Sequence, residues 1–304
     1  MKKFFTSILL CALAVTFNAY AAENEKLTIA VQPTSTPEQL TNQAQELKDF
    51  LKSELGMDVE IFFPTTYAGV VEALRFGHAD IAFMGPWPAL MAVEQAQASV
   101  ILAEIREVII GNEKKEEPYY FSYWVVSKDS PFNSLQELKG KKAAFSSLLS
   151  TSGYVAPLAR LLELGLVSEK DGKVDPKEFF GEVLFAGGYA QAWEALKAGQ
   201  VDATVIAGDV AEKLYNEVLE NTRVIEQQGP LPSHTVVASA NLDPALREKV
   251  VMTFLKLNDP DKRGLMRKFI SGIFVRFEPA TEEHLQSLRR MLELTNLEFK
   301  EKGK

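Results

Sequence analysis

The segment Tyr67-Ala-Gly-Val-Val-Glu-Ala-Leu-Arg-Phe-Gly-His-Ala-Asp80 decides the fold, because a second copy of it occurs later in the chain. The second copy reads Tyr189-Ala-Gln-Ala-Trp-Glu-Ala-Leu-Lys-Ala-Gly-Gln-Val-Asp202, and seven of the fourteen positions are identical. Each copy predicts a helix that ends at a glycine, Gly77 or Gly199, since glycine suits the left-handed position that closes a helix. An apolar strand follows each helix. The two copies therefore predict two similar units of α/β structure.

The sequence before the first copy also alternates between strand and helix. An apolar stretch at 27–31 predicts a strand, Pro37–Leu55 has the apolar spacing of a helix, and 59–63 predicts a second strand. This alternation continues along the chain and indicates α/β architecture with a mostly parallel sheet. Tyr67 and Tyr189 each begin a helix at the carboxyl edge of such a sheet, where ligands bind. We expect these two tyrosines to approach a ligand from opposite sides.

A run of hydroxyl side chains precedes another predicted helix. Ser146-Ser-Leu-Leu-Ser150-Thr-Ser-Gly-Tyr154 follows the predicted strand Lys142–Phe145. Unpaired N–H groups and the helix dipole favour an anion at a helix start, and Ser and Thr hydroxyls add hydrogen-bond donors. Gly153 lets the backbone approach such an anion closely. The alternative is a plain helix cap, because Ser and Thr are preferred at this position in any case.

Composition excludes several classes of protein. The 304 residues are 46% hydrophobic and 24% charged, as in folded soluble proteins, and a net charge of −8 argues against a nucleic-acid-binding protein. Cys11 is the one cysteine, and the chain has three histidines. We therefore expect no thiol catalysis, no metal site and no cofactor.

The amino terminus predicts secretion. Two lysines precede an apolar run at 4–17, and Ala19-Tyr20-Ala21 offers the small residues that a signal peptidase requires. We expect residues 1–21 to be a cleaved signal peptide and the mature protein to lie in the periplasm. The alternative, a lipid anchor on Cys11, is disfavoured because Leu10 stands where a small residue is expected.

The motifs together resemble the substrate-binding proteins of phosphate, phosphite and phosphonate ABC importers. The similarity covers nearly the whole chain after the leader. Its strongest pieces are Thr66-Tyr-Ala-Gly-Val-Val-Glu-Ala-Leu-Arg-Phe-Gly77, Asp80-Ile-Ala-Phe-Met-Gly-Pro86, Tyr120-Phe-Ser122 and Ser150-Thr-Ser-Gly-Tyr-Val-Ala-Pro157. The ordered set is more specific than any one piece.

The resemblance implies a type 2 periplasmic binding protein fold. In that fold two α/β lobes are joined by crossover hinge strands, and the ligand cleft lies between them. Lobe 1 would comprise 22–123 plus 226–304, and lobe 2 would comprise 124–225. Closure of the lobes on the ligand would be a hinge motion.

The resemblance also implies which side chains hold the oxygens of a phosphorus group. By similarity these are Tyr67, Tyr120, Ser150, Thr151 and Ser152. Hydroxyls and backbone amides can bind an oxyanion without a neutralising arginine.

Three positions depart from the family pattern and bear on the choice of ligand. Tyr189 stands where the family usually has a histidine. Asp209 would substitute, with a shorter reach, for the acidic residue that phosphonate binders have after the second-lobe strand. His234 replaces the usual aspartate, so an aminoalkylphosphonate is less favoured. One hypothesis is that His234 supplies the positive or donor group missing at Tyr189. The alternative is that His234 is an ordinary surface-loop histidine.

We therefore expect a monomeric periplasmic protein that captures a phosphonate, phosphite or phosphate and delivers it to an ABC permease. One alternative is a sensor of the same fold that reports to a membrane kinase, and another is a binder of sulfur or arsenic oxyanions. A secreted hydrolase is a remote alternative. Ser150, His234 and an aspartate supply triad residue types, but residue types without geometry are weak evidence, and no hydrolase motif occurs.

Overall fold

The computed structural model describes residues 26–32, 37–110 and 113–297. The predicted signal peptide lies outside the described residues. The strands are β1 (Lys26–Val31), β2 (Asp58–Phe62), β3 (Ile81–Met84), β4 (Ser99–Ile110), β5 (Glu113–Glu117), β6 (Tyr119–Ser127), β7 (Lys142–Phe145), β8 (Glu169–Lys170), β9 (Lys173–Val174), β10 (Glu182–Phe185), β11 (Ala203–Ala207), β12 (Thr222–Pro232), β13 (Thr235–Ala238) and β14 (Phe274–Pro279).

Helices connect most of these strands. They are α1 (Pro37–Leu55), α2 (Tyr67–Arg75), α3 (Pro86–Ala96), α4 (Ala156–Glu163), α5 (Tyr189–Lys197), α6 (Glu212–Asn221), α7 (Pro244–Leu255), α8 (Pro260–Phe269) and α9 (Gln286–Thr295). A wide π-type turn, Thr151–Val155, leads directly into α4. In the part of the chain that the structure describes, no helix combines the length and apolar character needed to cross a membrane.

Two sheets with the same internal pattern organise the molecule. The first has the strand order β14-β4-β13-β3-β1-β2, with β5 paired to β4, and the second has the order β10-β7-β11-β6-β12. In the first sheet β2, β1 and β3 are parallel and β13 is antiparallel to β3. In the second sheet β10, β7 and β11 are parallel and β6 is antiparallel to β11. The prediction of two similar α/β units is confirmed.

The expectation of a mostly parallel sheet is wrong outside these units. The strands β4, β6, β12 and β13 all pair antiparallel with their neighbours. The chain passes from the first sheet to the second between β5 and β6, and it returns between β12 and β13. Strands that arrive from the other sheet lack the helical crossover that a parallel neighbour requires. The predicted lobe boundaries fall inside β6 and β12, close to these crossings, and the division into lobes stays a prediction.

Helices cover both faces of each sheet. Successive side chains of a strand point to opposite faces. In β1, Ile29 packs in a core with α1 and α7, whereas Ala30 packs in a core with α2 and α3. In β7, Phe145 faces α4 and Ala144 faces α5. Each sheet is therefore the middle layer of an α/β/α sandwich, and its strand ends remain available at the edges.

The repeated glycine and aspartate have matching roles in the two units. Gly77 and Gly199 adopt φ angles of +71° and +68°, so the predicted left-handed helix endings are confirmed. Asp80 accepts hydrogen bonds from the Thr28 backbone N–H at 2.8 Å and the Thr28 hydroxyl at 2.7 Å. Asp202 accepts one from the Lys142 backbone N–H at 2.8 Å. Each aspartate thus fixes the start of the central parallel strand beside it.

These contacts predict unequal losses of stability. Replacing Asp80 with alanine removes an acceptor with two partners, so the free energy of unfolding should fall by about 2–3 kcal/mol. Asp202→Ala removes one such bond and should cost about half as much. Chemical denaturation measures both, with Asp129→Ala at an exposed position as the control. Equal stability of the Asp80 and Asp129 variants would contradict the role of Asp80 in fixing the start of β1.

Candidate functional site

Strand ends from both sheets border a cleft of about 780 Å³. Gln32 and Arg106 line it from the first sheet, and Tyr189 and Asp209 line it from the second. Residues 267–273, which run from the end of α8 towards β14, also line the cleft. Carboxyl ends of parallel strands are the usual ligand-binding edge of α/β sheets. The cleft is therefore the candidate functional site.

Four hydroxyl side chains, named here the hydroxyl cluster, form a connected group at this cleft. The members are Tyr120, Ser150, Ser152 and Tyr189. The Tyr120 hydroxyl donates to Ser152 Oγ at 3.1 Å, and Ser152 Oγ lies 2.7 Å from the Tyr189 hydroxyl. Ser150 Oγ lies 3.5 Å from the same Tyr189 hydroxyl. Tyr189 belongs to both the cluster and the cleft lining, so it joins them.

The two tyrosines of the cluster are held in their neutral form. Burial raises the pKa of Tyr120 well above its ordinary value, and the negative charge of Asp209 raises it further. Burial and Asp209 raise the pKa of Tyr189 as well, although the neighbouring serine hydroxyls oppose this. Both side chains therefore remain hydrogen-bond donors at neutral pH, which is the form an anion requires.

The helix start beside the cluster combines a cap with free donors. Ser150 Oγ accepts a hydrogen bond from the Gly153 N–H at 2.9 Å. The Ser150 carbonyl accepts from the N–H groups of Tyr154 and Val155. Among the hydrogen bonds of the described residues, none uses the N–H groups of Thr151 or Ser152. The segment is thus a capped helix start that leaves two backbone donors for an anion.

Close packing explains the glycine in this segment. A Cβ atom at Gly153 would lie 1.8 Å from Ser146 Oγ and 2.8 Å from Ser150 Oγ. Only glycine lets the turn approach the buried Ser146 this closely. Ser146 Oγ has no hydrogen-bond partner within the described part of the chain, so it is a further buried donor beside the cluster.

Three buried charged side chains, Glu104, Arg106 and Asp209, form a cluster of ion pairs in the lining of the cleft. Arg106 contacts Glu104 Oε2 through Nε and Nη2, both at 2.8 Å, and it contacts Asp209 Oδ2 through Nη1 at 3.0 Å. Burial lowers the pKa of Arg106, but the two carboxylates outweigh this effect, and the guanidinium stays charged. Burial raises the pKa of Asp209 above its ordinary value, although Arg106 opposes the shift. Within the described residues no group of three or more His, Cys, Asp or Glu is placed to hold a metal ion.

His234 lies in the lining of the cleft, between β12 and β13, and not in a surface loop. Burial lowers its pKa well below the ordinary value, and the charge of Arg106 lowers it further. This shift favours the neutral imidazole at pH 7, so of the two roles suggested for His234 it favours the hydrogen-bond donor over the positive charge. Its ring can still donate or accept one hydrogen bond.

The structure separates the other predicted site residues into two groups. Thr151 is buried in the same turn as Ser150 and Ser152. Tyr67 begins α2 in the first unit, is half-buried, and is not among the residues that line the cleft. Of the two repeat tyrosines, the structure brings Tyr189 into the cleft lining.

Sequence reasoning missed Glu104 and Arg106. Both lie in β4, whose sequence Ser-Val-Ile-Leu-Ala-Glu-Ile-Arg-Glu-Val-Ile-Ile is otherwise strongly apolar. Two opposite charges spaced two residues apart share one face of a strand, and in a buried strand they must be paired. That pattern was the signal available in the sequence.

Comparisons with known proteins agree with this architecture. The model of a protein family described as "ABC transporter, phosphonate, periplasmic substrate-binding protein" matches residues 29–285. The chain is 26% identical over 259 residues to the phosphonates-binding periplasmic protein of Escherichia coli, which covers 82% of this chain and 72% of that protein. It is 32% identical over 181 residues to the phosphate-import protein PhnD of Mycolicibacterium smegmatis, which covers 59% of this chain and 54% of that protein. This second match therefore spans about half of that relative.

Solved structures show the same fold. PhnD1 from Prochlorococcus marinus, solved in complex with methylphosphonate, superposes with a TM-score of 0.69 at 19% identity. The superposition covers 90% of this chain and 98% of that chain. The predicted type 2 periplasmic binding protein fold is confirmed.

The lowered pKa of His234 predicts a specific pH dependence of stability. The unfolded chain protonates this histidine below about pH 6.5, whereas the folded chain resists protonation, so acid favours unfolding. Between pH 7.5 and pH 5.5 the free energy of unfolding of the wild type should fall. In His234→Gln this fall should be smaller by about 1 kcal/mol. Chemical denaturation at the two pH values measures this, and His284 is unchanged in both proteins. An identical pH dependence in variant and wild type would contradict the neutral His234.

Proposed function

The chain belongs to the family of periplasmic substrate-binding proteins of phosphonate ABC transporters, and from this premise we propose that it captures a small phosphorus oxyanion in the cleft. The candidate ligands are a phosphonate, phosphite or phosphate. The observation that carries the proposal is the hydroxyl cluster beside two unused backbone N–H groups at the helix start. Such a set of short-range donors matches the tetrahedral oxygens of a phosphorus oxyanion.

In this proposal the site consists of residues from both units. The N–H groups of Thr151 and Ser152 and the Thr151 hydroxyl donate to one side of the ligand. Tyr120, Ser150 and Tyr189 surround the same oxygens. Tyr67 approaches from the first unit when the cleft closes. Asp209 and His234 line the same cleft and complete the proposed set of ligand-binding residues.

Closure of two lobes completes the site. We assign 22–123 plus 226–304 to the first lobe and 124–225 to the second. Polypeptide crosses between the two sheets beside β6 and β12, and two such connections allow a hinge motion. A cleft of about 780 Å³ exceeds what a methylphosphonate fills, which is consistent with an open form.

The protein acts in transport and not in catalysis. Its role is to deliver the bound oxyanion to an ABC permease in the inner membrane, after a signal peptide at 1–21 directs it to the periplasm. It works as a monomer without metal or cofactor. Support for this reading comes from the family, whose members are periplasmic substrate-binding components.

Calorimetric titration of the ligand-stripped mature protein tests the proposal. Phosphite, phosphate, methylphosphonate and 2-aminoethylphosphonate are the phosphorus ligands, and arsenite is the negative control. We expect submicromolar binding of at least one phosphorus compound with one ligand per chain. Failure of all four phosphorus compounds to bind would contradict the proposed function.

Thr151→Val tests the placement of the ligand. The substitution keeps the shape of the side chain and removes one hydroxyl that donates to a charged group. Affinity for the ligand found above should fall at least tenfold, or about 1.4 kcal/mol. The control is Thr253→Val, which removes another buried threonine hydroxyl, in α7. Unchanged affinity of the Thr151 variant would exclude the Thr151 hydroxyl from the site.

A further inference from the structure

Ser146 is a buried hydroxyl residue that lies outside the proposed set of ligand-binding residues. It directly follows β7, and it is only 3% exposed. Its Oγ has no hydrogen-bond partner within the described part of the chain. A buried hydroxyl without a partner destabilises the folded chain, so such groups are rare in proteins. Beside a binding cleft, a hydroxyl of this kind indicates a donor for a ligand.

The Ser146 hydroxyl lies against the turn at Thr151–Val155. A Cβ atom at Gly153 would be 1.8 Å from Ser146 Oγ and 2.8 Å from Ser150 Oγ, so both hydroxyls border the same point of the turn. Burial raises the pKa of Tyr189, and the Ser146 hydroxyl is among the groups that oppose this rise, although the two lack hydrogen-bond geometry. Ser146 therefore lies next to the hydroxyl cluster without being bonded into it.

Backbone hydrogen bonds fix the segment that carries Ser146. The Ser146 carbonyl accepts a hydrogen bond from the Gly187 N–H at 2.8 Å, just before α5 begins. The Ser147 carbonyl accepts one from the Ser150 N–H at 3.2 Å, which holds the loop that leads to the turn. The Ser146 hydroxyl is therefore in place before a ligand arrives, and only its hydrogen has to turn towards an acceptor.

Ser146 differs from the members of the hydroxyl cluster in its state before a ligand binds. The Tyr120 hydroxyl donates to Ser152 Oγ, and a further hydrogen lies between Ser152 Oγ and the Tyr189 hydroxyl. A hydroxyl that turns from such a contact to a ligand exchanges one hydrogen bond for another, so the net gain is small. The Ser146 hydroxyl breaks no bond when it donates to an oxyanion, and it gains the partner that it lacks.

We propose that Ser146 is a further ligand-binding residue, whose hydroxyl is held without a partner in the ligand-free protein and donates to an oxygen of the bound phosphorus oxyanion. It acts together with the unused backbone N–H groups of Thr151 and Ser152. The inference rests on the proposed function and adds a direction to it: one hydroxyl lowers the stability of the ligand-free protein and raises its affinity for the ligand.

Ser146→Ala tests both parts of this inference. Calorimetric titration with phosphite, phosphate, methylphosphonate and 2-aminoethylphosphonate measures the affinity, and chemical denaturation without ligand measures the stability. Affinity for each phosphorus compound that the wild type binds should fall at least tenfold, because a donor to a charged group is lost. The free energy of unfolding of the ligand-free variant should be unchanged or higher, because the substitution removes no hydrogen bond within the protein.

Two other serines provide matched controls. Ser147→Ala removes the neighbouring hydroxyl, whose oxygen accepts from the Leu149 N–H at 3.3 Å, and this variant should keep the wild-type affinity. Ser239→Ala removes a buried hydroxyl that has a partner, since Ser239 Oγ accepts from the Asn241 N–H at 3.2 Å. This second control should lose stability and keep its affinity, which is the opposite of the pattern expected for Ser146→Ala.

The outcomes separate this inference from the proposed function. Wild-type affinity in folded Ser146→Ala overturns the inference and leaves the proposed function intact. A loss of ligand-free stability as large as that of Ser239→Ala, or a failure of Ser146→Ala to fold, also overturns it, because Ser146 then has a structural partner. An equal loss of affinity in Ser147→Ala assigns the effect to the loop and overturns the role of Ser146. Failure of the wild type to bind any of the four compounds contradicts the proposed function itself.

Discussion

The rest of the molecule depends on one arrangement, a helix that begins at the carboxyl end of a parallel strand. This arrangement directs backbone N–H groups at the edge of the sheet, where a ligand can reach them. The repeat builds it twice, and Asp80 and Asp202 fix the central strand of each unit. The turn at Thr151–Val155 provides the second unit with a further helix start, in addition to the one from the repeat. The start of α5 at Tyr189 borders the cleft, whereas the start of α2 at Tyr67 is not among the residues that line it.

The chemistry of the cleft follows from the burial of its polar groups. Tyr120 and Tyr189 are kept neutral by burial and by the charge of Asp209, so they remain donors. Arg106 is charged but is shared by two carboxylates. The family resemblance implied that the oxyanion is held without a neutralising arginine. The structure adds an arginine to the cleft, but its charge is used within the protein.

Local patterns in the sequence predicted the elements well, whereas contacts between distant segments were not predictable. The helix endings at Gly77 and Gly199 and the strand Lys142–Phe145 follow from nearby residues alone. The antiparallel strands depend on where the chain crosses between sheets, which no local pattern records. The ion pair between Arg106 and Asp209 joins residues 103 positions apart. The paired charges of β4 indicate that a buried partner exists, but only the fold shows that the partner is Asp209.

Among the described residues that line the cleft, every arginine and lysine is paired with a carboxylate, so an anion there is recognised mainly by short-range hydrogen bonds. Long-range attraction is weak here, because the chain carries a net charge of −8 and the cluster of ion pairs in the cleft lining adds a negative charge of its own. The free energy of binding therefore depends on how many donors surround the ligand in the closed form. Such a site gains selectivity from geometry and from the position of protons, since any misplaced or unprotonated oxygen leaves a buried polar group without a partner.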